Sequence, residues 1–115
     1  MKSDGAAAEK LAAEFLQRNG LRLIESNFRC RYGEVDLILR DGDTIVFAEV
    51  RLRSSAAFGG AAASITPAKQ AKIARAAQFY LQRTRSRAPC RFDAVLLDNL
   101  DAMRVEWIRN AFEGA

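Results

Sequence analysis

The chain has 115 residues, half of them hydrophobic, and its 18 basic and 14 acidic side chains give a net charge of +4. This length and composition predict a single folded domain over residues 1–115 and exclude a disordered chain. The sequence contains no histidine, which excludes Ser-His-Asp and Cys-His catalysis and histidine-ligated metal centres.

The first predicted element is an amphipathic helix from Ser3 to Asn19, followed by Gly20 where a helix C-cap favours glycine. Glu9 lies at the edge of the apolar stripe of this helix. Its carboxylate could face solvent or reach over the neighbouring sheet toward other carboxylates. The residues predicted to be buried on the stripe are Leu11, Ala12, Phe15 and Leu16.

A first strand is predicted from Leu21 to Arg31, where apolar and polar residues alternate. The alternation loses its phase between Ile24 and Asn27, which indicates a bulge or bend in this strand.

The next two strands, Glu34–Arg40 and Thr44–Arg53, are predicted to form an antiparallel hairpin. Gly42-Asp43 suits a two-residue type II′ turn, because glycine occupies the first central position. One face of the hairpin is apolar and is predicted to pack against a helix: Val35, Leu37, Leu39, Val46, Ala48, Val50 and Leu52.

The register of that turn places Asp36 opposite Glu49 and Glu34 opposite Arg51, with all four side chains on one face. Two facing carboxylates beside a cation could hold a divalent metal next to a phosphate. The alternative is a solvated end of the hairpin in which Glu34 and Arg51 form an ordinary cross-strand ion pair.

A loop from Ser54 to Ser64 is rich in Ala, Ser and Gly and is predicted to be mobile beside this site. A second helix follows, with Thr66 as N-cap and Pro67 in its first turn, and it runs to about Thr84. Its buried arc is predicted to contain Ile73, Ala74, Ala77, Tyr80 and Leu81.

The opposite side of the second helix carries Lys72, Arg75 and Arg83, with Phe79 among them. Such a stripe suits a nucleic-acid backbone, and it also describes the solvated side of many surface helices. Gln70 falls inside the apolar arc, so its amide is expected either to bond to the backbone or to line the site.

Two closing strands are predicted at Arg91–Asp98 and Arg104–Asn110. The run from Ala94 to Leu97 is apolar throughout, which is typical of a strand buried on both faces. The predicted order is therefore αβββαββ, an α/β domain with a mixed sheet flanked by helices.

Positive charge is concentrated between Val50 and Phe92, a segment that contains nine basic residues and no acidic one. The rest of the chain is net acidic. A segment of one sign favours a polyanionic partner, and the alternative is a solvated basic surface without a partner.

The sequence also predicts a cytoplasmic protein that does not interact with membranes. It contains no apolar run of about 18 residues that could span a bilayer. The charged residues Asp4, Glu9 and Lys10 near the start exclude a signal peptide. Cys30 and Cys90 are then expected to be free thiols.

Short pieces spread over nearly the whole chain occur together in a defined order. They are Gly5 and Glu9, Asn27-Phe28-Arg29, Gly33-Glu34-Val35-Asp36-Leu37-Ile38, Val46-Phe47-Ala48-Glu49-Val50, Arg53, Phe58-Gly59, Lys69, Ala77, Tyr80, Arg91-Phe92-Asp93, and Trp107 to Phe112. In this order the chain resembles the YraN-type family of small bacterial proteins. Members of that family have a predicted restriction-endonuclease-like (PD-(D/E)xK) nuclease fold related to Holliday-junction resolvases. The resemblance implies a single nuclease-like domain.

The resemblance assigns roles to individual residues. Asp36 matches the metal-binding Asp of the nuclease signature, Glu49 its acidic partner, and Glu9 the first-helix carboxylate of resolvase-like nucleases. Arg51 stands where the signature has Lys, so it could contact a phosphate but cannot act as a base.

The mechanism that the resemblance implies is metal-assisted hydrolysis of a phosphodiester bond in DNA, with branched DNA as a candidate substrate. Asp36, Glu49 and the backbone carbonyl of Val50 are expected to bind Mg²⁺ or Mn²⁺. Resolvase-like relatives act as dimers, so a homodimer is compatible with the resemblance. The residues expected to hold nucleic acid are Arg53, Lys69, Gln70, Lys72, Arg75 and Arg83.

Two alternatives remain open at this point. Arg51 in place of Lys favours a catalytically weak or inactive nuclease-fold protein that binds nucleic acid. A third possibility is a small scaffold domain that binds protein, which predicts no DNA binding at low salt.

Overall fold

The computed structural model describes residues 2–52, 65–98 and 105–113 of the chain. Its elements follow the predicted order αβββαββ. The helices are α1 (Lys2–Arg18) and α2 (Pro67–Arg83), and the strands are β1 (Arg22–Cys30), β2 (Gly33–Asp41), β3 (Thr44–Leu52), β4 (Cys90–Leu97) and β5 (Val105–Phe112). Within the described ranges, neither helix is long and apolar enough to cross a membrane.

The five strands form one sheet in the order β1-β2-β3-β4-β5. Strands β3 and β4 are parallel, whereas the other neighbouring pairs are antiparallel. A parallel pair needs a crossover connection, and α2 lies within the segment that joins β3 to β4. The sheet is therefore mixed, as the sequence predicts.

The two helices cover opposite faces of the sheet. Around α1, the buried sheet residues include Leu37, Leu39, Val46, Ala48, Val50, Val95 and Leu97. Around α2, they include Val35, Ile38, Ile45, Phe47, Phe92, Ala94 and Leu96. Consecutive residues of β4 thus enter both clusters, which confirms that this strand is buried on both faces.

Both helices end or begin with the predicted caps. After α1, the backbone N–H of Gly20 donates to Gln17 at 3.1 Å and that of Leu21 donates to Leu16 at 3.1 Å, the bond pair of a Schellman motif. At the start of α2, the Thr66 hydroxyl accepts a hydrogen bond from the backbone N–H of Lys69 at 3.2 Å. These bonds fix the position of each helix along the chain.

The hairpin turn between β2 and β3 is also as predicted. Asp41 pairs with Thr44 and Gly42 has φ of 60°, while Asp43 keeps a negative φ, as a type II′ turn requires. The predicted register holds from this turn as far as the pair Leu37–Ala48.

Four predictions about the far end of the hairpin are wrong. Leu52, predicted to be buried on the apolar face, is 37% exposed. Val35 packs with the α2 cluster and not on the α1 face with Leu37. Glu34 pairs with Arg29 of β1 at 3.1 Å and not with Arg51. The side chains of Asp36, Glu49, Glu34 and Arg51 consequently do not share one face. The regular alternation assumed from the sequence breaks at Asp36.

The predicted mobile loop from Ser54 to Ser64 lies outside the described residues.

Candidate metal centre

The site forms where strands β2 and β3 separate. Their described backbone pairs run from Asp41–Thr44 to Leu37–Ala48 and do not continue to Asp36 and Glu49. Instead, Oδ2 of Asp36 accepts a hydrogen bond from the backbone N–H of Val50 at 2.8 Å. A buried carboxylate therefore takes the place of a backbone carbonyl in the ladder. The Asp36 side chain lies in the gap between the two strands.

The neighbouring strand β1 is distorted at the same level. Its pairs with β2 include Ser26–Leu37 and Phe28–Val35, which leaves Asn27 opposite Asp36. Asn27 has φ of 55°, a left-handed conformation that Asn adopts more readily than most residues. A second irregularity lies between Leu23 and Glu25, within the region where the sequence predicts a bulge. The distortion at Asn27 accompanies the change of face along β2.

Glu49 is held beside this gap in a nearly dry environment. Its side chain is 5% exposed, and Oε2 lies 2.7 Å from Arg51 Nη2 and 3.9 Å from Lys69 Nζ. Among the described residues, its other oxygen, Oε1, has no hydrogen-bond partner. Burial and the adjacent Asp36 carboxylate raise the pKa of Glu49 to about 8, although Arg51 and Lys69 act in the opposite direction.

The backbone carbonyl of Val50 is directed into the same gap between β2 and β3. The N–H and C=O of one strand residue face the same side, and the N–H of Val50 is directed at Asp36. The carbonyl oxygen accepts a hydrogen bond from Arg51 Nη1 at 3.2 Å. Arg51 therefore contacts both Glu49 and the backbone oxygen that the family resemblance implies as a metal ligand.

Glu9 approaches from the other side of the sheet, on α1. Its carboxyl group lies within hydrogen-bonding reach of Asp36 and of the Asn27 amide. Burial and the charge of Asp36 raise the pKa of Glu9. Of the two orientations that the sequence leaves open for Glu9, the structure has the one that reaches toward the carboxylates.

These groups fit a hard divalent cation that prefers oxygen ligands. Two crowded carboxylates and a backbone carbonyl converge on one gap, and one oxygen of the Glu49 carboxylate has no hydrogen-bond partner among the described residues. Across residues 2–52, 65–98 and 105–113, no group of three or more His, Cys, Asp or Glu side chains is arranged to hold a metal. The candidate ligands are therefore Asp36, Glu49 and the Val50 carbonyl. Glu9 contacts Asp36 from the α1 side and is not itself included among the ligands.

The residues expected to hold nucleic acid divide into three groups. Lys69, Lys72, Arg75 and Arg83 are exposed on α2, and Lys69 is the one that reaches Glu49. Gln70 Nε2 donates to the backbone oxygen of Ile65 at 3.0 Å. Of the two predicted roles for this amide, the structure therefore has the hydrogen bond to the backbone. Arg53 lies outside the described residues.

The sequence assigns no role to two polar residues of the sheet, Asn27 in β1 and Asp93 in β4. Asn27 supports both the bend in β1 and Glu9, and the lost alternation near it was its signal. Asp93 is fully buried and accepts hydrogen bonds from Arg91, Trp107 and the backbone of Asn110. Because its donors come from β4 and β5, Asp93 ties β5 to β4. Its sequence signal is a carboxylate inside an apolar strand.

Comparison with known proteins places the chain among relatives of unknown function. The model of "Uncharacterised protein family UPF0102" matches residues 8–97. A UPF0102 protein of Nitrosomonas eutropha is 56% identical over 112 residues, which cover 97% of this chain and 95% of the relative. One from Methylobacillus flagellatus is 55% identical over 112 residues, covering 97% and 98%. One from Nitrosospira multiformis is 50% identical over 113 residues, covering 98% and 95%.

Proposed function

This chain belongs to the uncharacterised protein family UPF0102, and we propose that it is a divalent-metal-dependent nuclease that hydrolyses phosphodiester bonds in DNA. The observation that carries the proposal is the convergence of Asp36 and Glu49 at the gap between β2 and β3. Burial and the Asp36 charge disfavour ionised Glu49 even beside Arg51, so a divalent cation would stabilise the two carboxylates, and the Glu49 oxygen without a hydrogen-bond partner offers a ligand. A metal fits these groups better than a structural role does.

Asp36, Glu49 and the Val50 carbonyl would hold Mg²⁺ or Mn²⁺. When bound, such an ion lowers the pKa of water and offsets charge on the scissile phosphate. Oδ2 of Asp36 already accepts a hydrogen bond from the Val50 N–H, so this carboxylate is oriented before any ligand arrives. Glu9 and Asn27 support Asp36 from the α1 side. The protein thus supplies a largely preformed oxygen site.

Arg51 and Lys69 supply positive charge on the α2 side of the site. Arg51 stays protonated, so it stabilises charge on the phosphate and does not remove a proton. To contact a phosphate, its guanidinium exchanges the Glu49 carboxylate and the Val50 carbonyl for the phosphate oxygens. Lys69, with its exposed ammonium group, lies where the entering strand passes α2.

The exposed cations of α2 would hold the nucleic-acid backbone. Lys72, Arg75 and Arg83 are exposed, and the helix contains no acidic residue. Phosphate contacts position a nucleic acid without reading its bases. A nuclease selective for DNA structure, with branched DNA as a candidate, therefore fits this surface better than a sequence-selective one.

A second candidate function is binding of nucleic acid without cleavage. The contacts of Arg51 favour it, since one side chain engages both Glu49 and the Val50 oxygen. If these contacts persist when DNA binds, the guanidinium would occupy the metal position. The same basic surface would then serve binding alone.

A cleavage assay on linear, nicked and branched DNAs with Mg²⁺ or Mn²⁺ distinguishes the two functions. We expect weak cleavage by the natural protein, no cleavage by Asp36→Ala, and faster cleavage by Arg51→Lys. Glu14→Gln, an exposed carboxylate on α1, is the matched control and should cleave like the natural protein. Absence of cleavage in both the natural protein and Arg51→Lys would leave the binding function.

A further inference from the structure

An aromatic surface lies where the turn between β1 and β2 meets α2. The rings of Tyr32 and Phe79 contact each other, with centroids 5.9 Å apart and planes inclined by 56°. Tyr32 is 37% exposed and is one of three large apolar side chains exposed in the described part of the chain. Phe79 is half-buried and also packs against the core, so the exposed Tyr32 supplies most of the aromatic surface that faces solvent.

The backbone holds this pair of rings in place. Gly33 has φ of 154°, and a Cβ at this position would lie 3.2 Å from the backbone oxygen of Lys72. The turn therefore lies directly against α2, at a distance that glycine permits. This close approach keeps Tyr32 beside Phe79, so the aromatic surface does not depend on a flexible loop.

Arginine side chains accompany the aromatic rings. The guanidinium carbon of Arg31 lies 4.9 Å from the centre of the Tyr32 ring, and its Nη2 donates to the Tyr32 hydroxyl at 2.7 Å. The guanidinium of Arg83 lies 5.4 Å from the centre of the Phe28 ring, which in turn contacts Phe79. Aromatic rings interleaved with cations are typical of surfaces that bind single-stranded nucleic acid.

A groove of about 340 Å³ adjoins the rings and is lined by Tyr32, Arg75, Gln78, Phe79 and Gln82. Gln78 and Gln82 lie one helical turn apart and are both exposed. Each amide can donate and accept, so the pair could meet the edge of a base that stacks on the rings. Arg75 supplies a cation for the phosphate of the same nucleotide.

The groove is connected to the candidate metal centre along α2. Lys69 reaches Glu49 at one end of the helix, and Phe79 lies ten residues further on, about 15 Å away at 1.5 Å per residue. Lys72 and Arg75 lie between them at three-residue spacing, on the same side of the helix. A strand bound along this side would pass from the groove to the carboxylates.

We propose that Tyr32 and Phe79 form a stacking site for an unpaired base of the strand that enters the Asp36–Glu49 centre. This inference rests on the proposed nuclease function and names its substrate class: nucleic acid with unpaired nucleotides beside the scissile bond. A base held inside a duplex cannot reach the rings, whereas a single strand, a flap or the open arms of a junction can present one.

Fluorescence anisotropy tests this site with a labelled single-stranded oligonucleotide and a blunt duplex of equal length, in EDTA so that no cleavage occurs. We expect Tyr32→Leu and Phe79→Leu each to weaken binding of the single strand about tenfold, with little change for the duplex. Leucine retains apolar packing, and Ile24→Ala, at another exposed apolar side chain, is the control. Unchanged single-strand binding, or equal weakening for both DNAs, would overturn the stacking site.

A further variant tests the stacking site if Tyr32→Leu and Phe79→Leu fail to fold. Gln78→Ala alters an exposed side chain of the groove and is expected to weaken single-strand binding a few-fold while duplex binding is retained. The absence of metal separates this test from the nuclease proposal. Loss of single-strand binding without cleavage of any DNA would support the stacking site and refute the nuclease. Cleavage that depends on Asp36, together with unchanged single-strand binding by Tyr32→Leu, Phe79→Leu and Gln78→Ala, would support the nuclease and refute the stacking site.

Discussion

Asp36 combines a structural hydrogen bond and a candidate ligand in one carboxylate. One oxygen accepts from the buried Val50 N–H, and its charge disfavours ionisation of Glu49. An amide at this position would keep the acceptor and remove the charge, whereas alanine would remove both. The two substitutions therefore separate the structural role of Asp36 from its chemical role.

We expect metal-free Asp36→Asn to be at least as stable as the natural protein, because it removes the negative charge that disfavours ionisation of Glu49. Asp36→Ala should lower the free energy of unfolding by about 1–3 kcal/mol, since it leaves a buried N–H unpaired. Urea denaturation in EDTA measures both. Equal stability of the alanine and asparagine variants would contradict the structural bond.

The raised pKa of Glu49 predicts how the stability of the protein depends on pH. The Glu49 carboxyl group keeps its proton in the folded chain up to about pH 8, whereas in the unfolded chain it loses the proton near 4.5. The folded state thus binds more protons between these values, so this group lowers stability as pH rises from about 5 to 8. We expect Glu49→Gln to flatten that decline in urea denaturation without metal, and Glu14→Gln to leave it unchanged. A decline of the same slope in Glu49→Gln would show that Glu49 ionises normally.

Strand β1 shows which part of an element the sequence could predict. The lost alternation between Ile24 and Asn27 indicated an irregularity, and the structure has one between Leu23 and Glu25 and a left-handed residue at Asn27. The change of face at Asp36 could not be predicted, because counting alternate residues along β2 assumes an unbroken ladder. The site lies at the level where that assumption fails.

Asn27 can be tested by two substitutions that differ in backbone freedom. Asn27→Ala should cost about 1–2 kcal/mol of stability, because alanine resists the left-handed conformation. Asn27→Gly should recover most of that loss while still lacking the bond to Glu9. Thermal unfolding of the two variants provides the measurement. If glycine is no better than alanine, the left-handed backbone is not the reason for Asn27.

Helix α2 was predicted closely because its signals are local. Thr66 and Pro67 fix its start. Of the five residues that its apolar spacing predicts to be buried, Ile73, Ala74, Ala77 and Tyr80 are buried and Leu81 is half-buried. The sequence does not determine the hydrogen-bond partner of Gln70, because the position of the Ile65 backbone oxygen depends on how the chain enters the helix. Local chemistry therefore located α2, and tertiary structure decided what its polar side chains contact.

At the scale of the whole molecule, the sequence predicted the α/β class, the element order and the mixed sheet. Turn chemistry, helix caps and the apolar run of β4 each act over a few residues and agree with one another. The contacts among Glu9, Asp36 and Glu49 join α1, β2 and β3. These contacts could not be predicted from the sequence, because they depend on how the three elements pack in the folded chain. Arg53, which the sequence also assigns to nucleic acid, lies outside the described residues.

The distribution of charge leads to a prediction about salt. If the exposed cations of α2 contact phosphates, DNA affinity should fall steeply with salt concentration. Arg75→Gln should reduce the slope of log affinity against log salt by about 1, the effect of one phosphate contact. Arg22→Gln, at an exposed position of β1, should leave the slope unchanged. DNA binding that is insensitive to salt would contradict the phosphate contacts, and absence of DNA binding at low salt would favour the protein-binding scaffold.

We propose that Asp36 and Glu49 share one divalent cation. Calorimetric titration of the metal-free protein with Mn²⁺ measures this without DNA and without turnover. We expect one site per chain in the natural protein and in Glu14→Gln, and loss of that site in both Asp36→Asn and Glu49→Gln. Mn²⁺ binding that is absent from the natural protein, or that survives unchanged in Asp36→Asn, would contradict the claim.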